Sequence, residues 1–110
     1  MSYQTLGEFE QVVLLAILRL GPDVYGVPIM DEIERRTGRA VARAAVYVTL
    51  RRLEQKGLIA SWMGEPTPER GGKARRYVRI EPEGIRLLRE SRRVLDQMWS
   101  GLDPVLGGSR

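Results

Sequence analysis

The apolar positions of this chain fall into blocks of different period. From Phe9 to Leu20 they occupy nearly every side of a predicted helix, which the breaker Gly21-Pro22-Asp23 closes. A helix apolar all round needs cover on more than one face. A second helix is expected from about Pro28 to Thr37, with Pro28 suited to a first turn and Gly38 to a C-terminal stop. Ile29 and Ile33 share one of its faces, and Asp31, Glu32, Glu34, Arg35 and Arg36 fill the others. A third helix runs from about Ala42 to Lys56. At about 100° per residue, Val46, Leu50 and Leu53 form a buried stripe, while the opposite arc carries Ala44, Val48, Arg51, Arg52 and Gln55, flanked by Arg43 and Tyr47. Beyond Gly57 the period shortens. Leu58 to Met63 and Arg75 to Ile80 read as strands, and Gly64 to Ala74 between them has the Pro and Gly content of a loop. The last helix is expected from Pro82 to about Leu102, with Ile85, Leu88, Leu95, Trp99 and Leu102 along one seam that Arg92 interrupts.

At 110 residues there is room for one such unit, and a domain this small hides only about 60 to 70 per cent of its unfolded surface. Val12 to Leu20 together with the C-terminal seam is more apolar surface than that unit covers alone, so a two-fold partner is expected. The charge is segregated. Residues 1–34 carry one Arg against six acids, residues 35–79 twelve Lys or Arg against three Glu, and residues 80–110 five of each. A basic middle flanked by acidic and neutral ends is the footprint of a polyanion partner, most simply nucleic acid. The chain has no Cys and no His, which removes disulfides, thiolate metal sites and the commonest general base. An enzyme, a metal site and a cofactor are accordingly not expected. The N-terminus lacks the pattern of a signal peptide, and Val12 to Leu18 is far shorter than the roughly 20 apolar residues of a membrane span, so the expected location is cytoplasmic.

Two helices joined by a short turn, the second basic, followed at once by a basic hairpin, is the order of a winged helix-turn-helix. A helix fits the major groove of duplex DNA, and a hairpin tip reaches phosphate or the adjacent minor groove. The expected fold class is mainly α with a small β-hairpin: residues 1–81 as the DNA-binding unit, 82–103 as a C-terminal dimerisation helix, 104–110 as a flexible tail. Small residues with Arg, Tyr and Gln make the outward arc of the third helix suited to reading a groove. Arg43, Ala44, Tyr47, Val48, Arg51 and Arg52 are the candidates there. In the hairpin loop Arg70, Gly71, Gly72, Lys73 and Arg75 are the candidates, since glycine lets the backbone come close to phosphate. Arg52 could equally pair with an acid. Tyr25 with Gly26 reads as structural, a ring packed at the entrance to the second helix, and Trp62 as core or hairpin packing.

Several runs carry a family resemblance: Leu6 to Gln11, Tyr25-Gly26, Val46-Tyr47 with Thr49-Leu50 and Arg52-Leu53-Glu54, Lys56-Gly57-Leu58, and Gly64 to Gly72. Together they resemble the PadR family of transcriptional regulators from about Leu6 to Ile85. The resemblance implies a homodimeric winged-helix repressor on a near-palindromic operator, with the third helix in the major groove and the first and last helices in the dimer interface. Val12, Val13, Leu88, Leu95, Met98, Trp99 and Leu102 are the expected interface residues. Some members hold planar ligands between interface aromatics. Trp99 is therefore open to two readings: an interface anchor, or, with Val13, Leu95 and Met98, the lining of a cavity for a small aromatic effector. Two departures from the family pattern stand out: Ala42 replaces a capping Ser, and Arg51 replaces an acid. A dimeric winged-helix protein-interaction module without base readout is the competing functional class.

Overall fold

The computed structural model describes residues 4–66, 68, 71 and 74–102. Four helices and one hairpin follow in the order α1 (Glu8–Leu20), α2 (Gly26–Thr37), α3 (Arg43–Gln55), β1 (Ile59–Met63), β2 (Arg76–Ile80) and α4 (Pro82–Trp99). This is the winged helix-turn-helix with an added C-terminal helix that the sequence predicts.

The core lies where α1, α2 and α3 meet beneath the hairpin. Val13, Leu14, Ile29, Leu53 and Leu58 are fully buried there, joined by Val46 and Val78. The three helix stripes converge because each repeats at three- and four-residue steps. Strands β1 and β2 pair antiparallel with Ile59 opposite Ile80 and Trp62 opposite Tyr77. Alternation then turns Ile59 and Val78 to the core and Trp62, Tyr77 and Arg79 to the outer face. Val24 adds a single bridge to the hairpin, its carbonyl accepting from the Val78 N–H at 2.8 Å. That bridge ties the start of α2 to the wing.

Glu10 locks α1 to α3. Its carboxylate accepts from the Gly7 N–H at 2.8 Å, satisfying a free donor at the helix start, and from the Lys56 ammonium at 2.8 and 3.1 Å. Burial raises the Glu10 pKa, but the hydrogen bonds from Lys56 and Gly7 and the charges of Lys56 and Arg52 outweigh it, leaving the carboxyl below its ordinary value.

Element ends differ from expectation most at α2, the two strands and α4. Helix α2 begins at Gly26, because the Tyr25 carbonyl already accepts from the Ile29 N–H and Pro28, which has no N–H, is harmless in a first turn. The strands begin one residue later than predicted, at Ile59 and Arg76. Helix α4 stops at Trp99 rather than near Leu102, since Ser100 leaves helical geometry and Gly101 takes φ 83°.

Only the first half of α4 packs on the body. Gly84 and Leu87 are buried, whereas every residue from Arg92 to Leu102 is exposed. The helix projects, and the molecule measures 56 × 37 × 22 Å.

Candidate nucleic-acid interface

One face of the molecule combines the outward arc of α3 with the hairpin. The α2–α3 turn is held by two carboxylates: Glu8 pairs with Arg39 at 2.9 Å, and Glu34 accepts from the Val41 N–H at 3.2 Å. Glu32 takes the charges of Arg35 and Arg36, the latter at 2.7 Å. The arginines of α2 are thereby paired within their own helix. Those on α3 are not: among the described residues, Arg43 and Arg51 make no ion pair, and both are exposed. With Val46, Thr49, Leu50 and Leu53 buried, the arc opposite presents Ala44, Val48, Arg51 and Gln55 to solvent. Small side chains between the cations let the helix lie close against a partner.

Arg52 occupies a different flank. It is exposed, and its charge helps lower the Glu10 pKa. Tyr47 lies on the hairpin flank, 42% exposed. Neither α2 nor α3 has an acid in its first turn or a side-chain cap, so Ala42 leaves the leading N–H groups of α3 without a side-chain acceptor. Helix α1, by contrast, has Glu8 and Glu10 in its first turn, and α4 has Glu83.

Between α3 and the wing runs a groove of about 480 Å³, with Leu50, Ile59 and Val78 in its floor and Tyr47, Arg51 and Arg76 on its walls. A hydrogen-bond chain crosses it: the Arg76 guanidinium donates to Ser61 Oγ at 2.9 Å, and Ser61 Oγ donates to Glu54 at 2.8 Å. These bonds, which the linear sequence does not disclose, fix the near strand of the wing to α3. On the outer face, Arg75 sits over the Tyr25 ring at 4.1 Å, Tyr25 meets Tyr77 edge-on at 5.9 Å, and Tyr77 stacks on Trp62 at 5.9 Å. The ladder anchors the base of the wing to the N-terminus of α2. Tyr25 and Trp62 thus have the packing roles their positions predict. Gly71 takes φ 65° at the wing turn, while Arg70, Gly72 and Lys73 lie outside the described residues.

A second surface lies on the opposite side. Helices α1 and α4 enclose an open apolar groove of about 640 Å³, whose walls include Leu15, Leu18, Ile85, Leu88, Leu95 and Trp99. Leu95 and Trp99 are half exposed, Leu102 is 43% exposed and Met98 is the most exposed of the large apolar side chains. Val13 does not reach this surface. It is fully buried in the protomer's own core, which removes it from the expected interface and from any cavity between subunits. Leu15 and Leu18 hold the outward positions instead, and Val12 is partly covered against the core. Because α1 is apolar on all sides, hydropathy alone did not separate its inner residues from its outer ones.

Among the described residues no group of three potential metal ligands occurs, and no helix is long and apolar enough to cross a membrane.

Comparison with known proteins agrees with this architecture. Residues 14–90 match the transcriptional regulator PadR-like family. A transcriptional regulator of Mycobacterium tuberculosis is 36% identical over 104 residues, spanning 92% of this chain and 90% of that protein. Among solved structures, a transcriptional regulator from Clostridium thermocellum superposes with TM-score 0.70 at 27% identity, covering 86% of this chain and 89% of the other. A PadR family transcriptional regulator from Eggerthella lenta superposes with TM-score 0.69 at 28% identity, covering 93% and 88%.

Proposed function

This chain belongs to the PadR-like family of transcriptional regulators, and from that premise we propose that it is a sequence-specific repressor that binds a near-palindromic operator as a homodimer. The observation that carries the reading is the uncovered outward arc of α3, where, among the described residues, Arg51 stands without an ionic partner beside small side chains and Arg43 opens the helix. In the major groove Arg51 reads a base edge, Tyr47 and Arg43 contact the flanking backbone, and Ala44 and Val48 permit close approach. The uncapped starts of α2 and α3 add N–H donors of the kind phosphates accept. The wing, with Arg75 and the loop residues Arg70 and Lys73, follows the backbone. Arg52, exposed beside Arg51, adds charge to the same helix.

The second copy covers the α1–α4 groove. Leu88, Leu95, Met98, Trp99 and Leu102 pack across the two-fold axis, with Trp99 as the central anchor. Two recognition helices related in this way meet successive major grooves about 34 Å apart. A flat aromatic effector that regulates the protein has its apolar lining here, in Leu95, Met98 and Trp99. Its signature is saturable quenching of Trp99 fluorescence in a Trp62→Phe background, accompanied by operator release.

The test of the main reading is selection of bound duplexes from genomic fragments, followed by titration at several salt concentrations. A dimer that neutralises about six phosphates gives a slope of log K against log salt near −5. No enriched sequence and a slope near zero would leave only a protein-interaction module.

A further inference from the structure

The Tyr25-Gly26 pair is explained only in part by the packing of Tyr25. Gly26 is the first residue of α2 and is buried, and its backbone lies in the ordinary helical range, so no turn geometry demands glycine there. What demands it is space. A Cβ built on Gly26 would fall 2.6 Å from both Cζ and the hydroxyl oxygen of Tyr47, and 2.7 Å from Cε1. The phenol end of the recognition-helix tyrosine therefore rests directly on the backbone at the start of α2. Real side-chain contacts do not come so close, and any residue larger than glycine must push the ring back by roughly 1 Å to reach van der Waals distance.

We infer that Gly26 is a positioning residue for DNA binding: by offering no side chain, it seats the Tyr47 ring on α2 and fixes the place of the Tyr47 hydroxyl at the protein–DNA boundary. This rests on the reading of α3 as the recognition helix. Tyr47 is 42% exposed and lines the groove between α3 and the wing with Arg51 and Arg76, so the ring is held on one side by Gly26 and open to a ligand on the other. A tyrosine has few rotatable bonds, and a seat beneath its ring removes most of the freedom that remains. The hydroxyl then meets a phosphate or base edge without an ordering cost at the moment of binding. Arg51, by contrast, has a long side chain and no such seat, and adjusts to the DNA it meets.

The clash falls on the far end of one flexible side chain, so Gly26→Ala is expected to fold, with the ring displaced. Alanine also favours helix over glycine, so the melting temperature should hold or rise while affinity falls. A purely structural role for Gly26 predicts that the two fall together. The experiment is a double-mutant cycle on the full-length chain, using a duplex selected by the wild-type protein: wild type, Gly26→Ala, Tyr47→Ala and the double variant. Tyr47→Ala is expected to weaken binding about tenfold, Gly26→Ala by a similar factor, and the double variant no more than the worse single one. Wild-type affinity in Gly26→Ala, or losses that multiply in the double variant, would overturn the positioning role while leaving DNA binding intact. An undiminished Tyr47→Ala would also overturn it, by removing the contact that Gly26 is said to position. Failure of the wild-type chain to select any duplex marks the different failure, that of the functional reading itself.

Discussion

Replacing Glu10 by Gln removes the charge of the one buried carboxylate that joins α1 to the end of the recognition helix, with almost no change in volume. The amide oxygen can still accept from the Gly7 N–H, so the start of α1 keeps its partner. What is lost is the 2.8 Å hydrogen bond from Lys56 to Oε2, because the amide nitrogen in that place cannot accept, together with the ionic character of the remaining bond at 3.1 Å. A charge-assisted bond contributes about 1.5 to 3 kcal/mol, but the Lys56 side chain is 28% exposed and can turn to water, which lowers the expected loss to about 1 to 2 kcal/mol. Against a total stability of about 5 to 15 kcal/mol, that lowers the melting temperature by roughly 4 °C or more. The pH dependence is more diagnostic than the size. The folded pKa of Glu10 lies below its ordinary value near 4.5, so between the two the unfolded chain binds the proton more readily. The stabilisation is fully present above pH 4.5 and disappears as pH falls through the folded pKa. Urea denaturation of both proteins from pH 7 to pH 3, at one protein concentration, should show a constant gap that narrows only below pH 4.5. An equal gap at pH 7 and pH 3, or none at pH 7, would refute the ion-pair reasoning.

Arg51→Ala should weaken operator binding by about 1 to 3 kcal/mol in a sequence-dependent way, whereas Arg75→Ala should weaken all duplexes alike and flatten the salt slope by roughly one unit, both read by titration against selected and scrambled DNA. Leu95→Glu places a charge in the α1–α4 groove and should convert the dimer to a folded monomer in sedimentation at micromolar concentration; an unchanged dimer would exclude this surface. Gly84→Ala should cost about 1 to 3 kcal/mol by thermal denaturation, because the new Cβ would fall 2.5 Å from the Leu58 carbonyl oxygen, and backbone cannot step aside as the Tyr47 side chain can.

Features set by neighbours along the chain are legible before any element docks. The order of helices and strands followed from period, the basic character of residues 35–79 from composition, and the outward arc of α3 from the step between Val46, Leu50 and Leu53. Resemblance added the family. Even the absent cap at Ala42 was readable, because capping depends on residues within one turn. The tertiary structure alone decided which side of α1 faces inward, since a helix apolar all round carries no signal that separates Val13 from Leu15 and Leu18. It decided that Glu10 meets Lys56 across 46 residues of sequence. It also brought Glu54, Ser61 and Arg76 into one chain and set Tyr47 on Gly26. Periodicity is a property of a single element and survives in the unfolded string. Contacts such as these exist only once separate elements have docked, because nothing in the residues between them fixes the distance at which they meet.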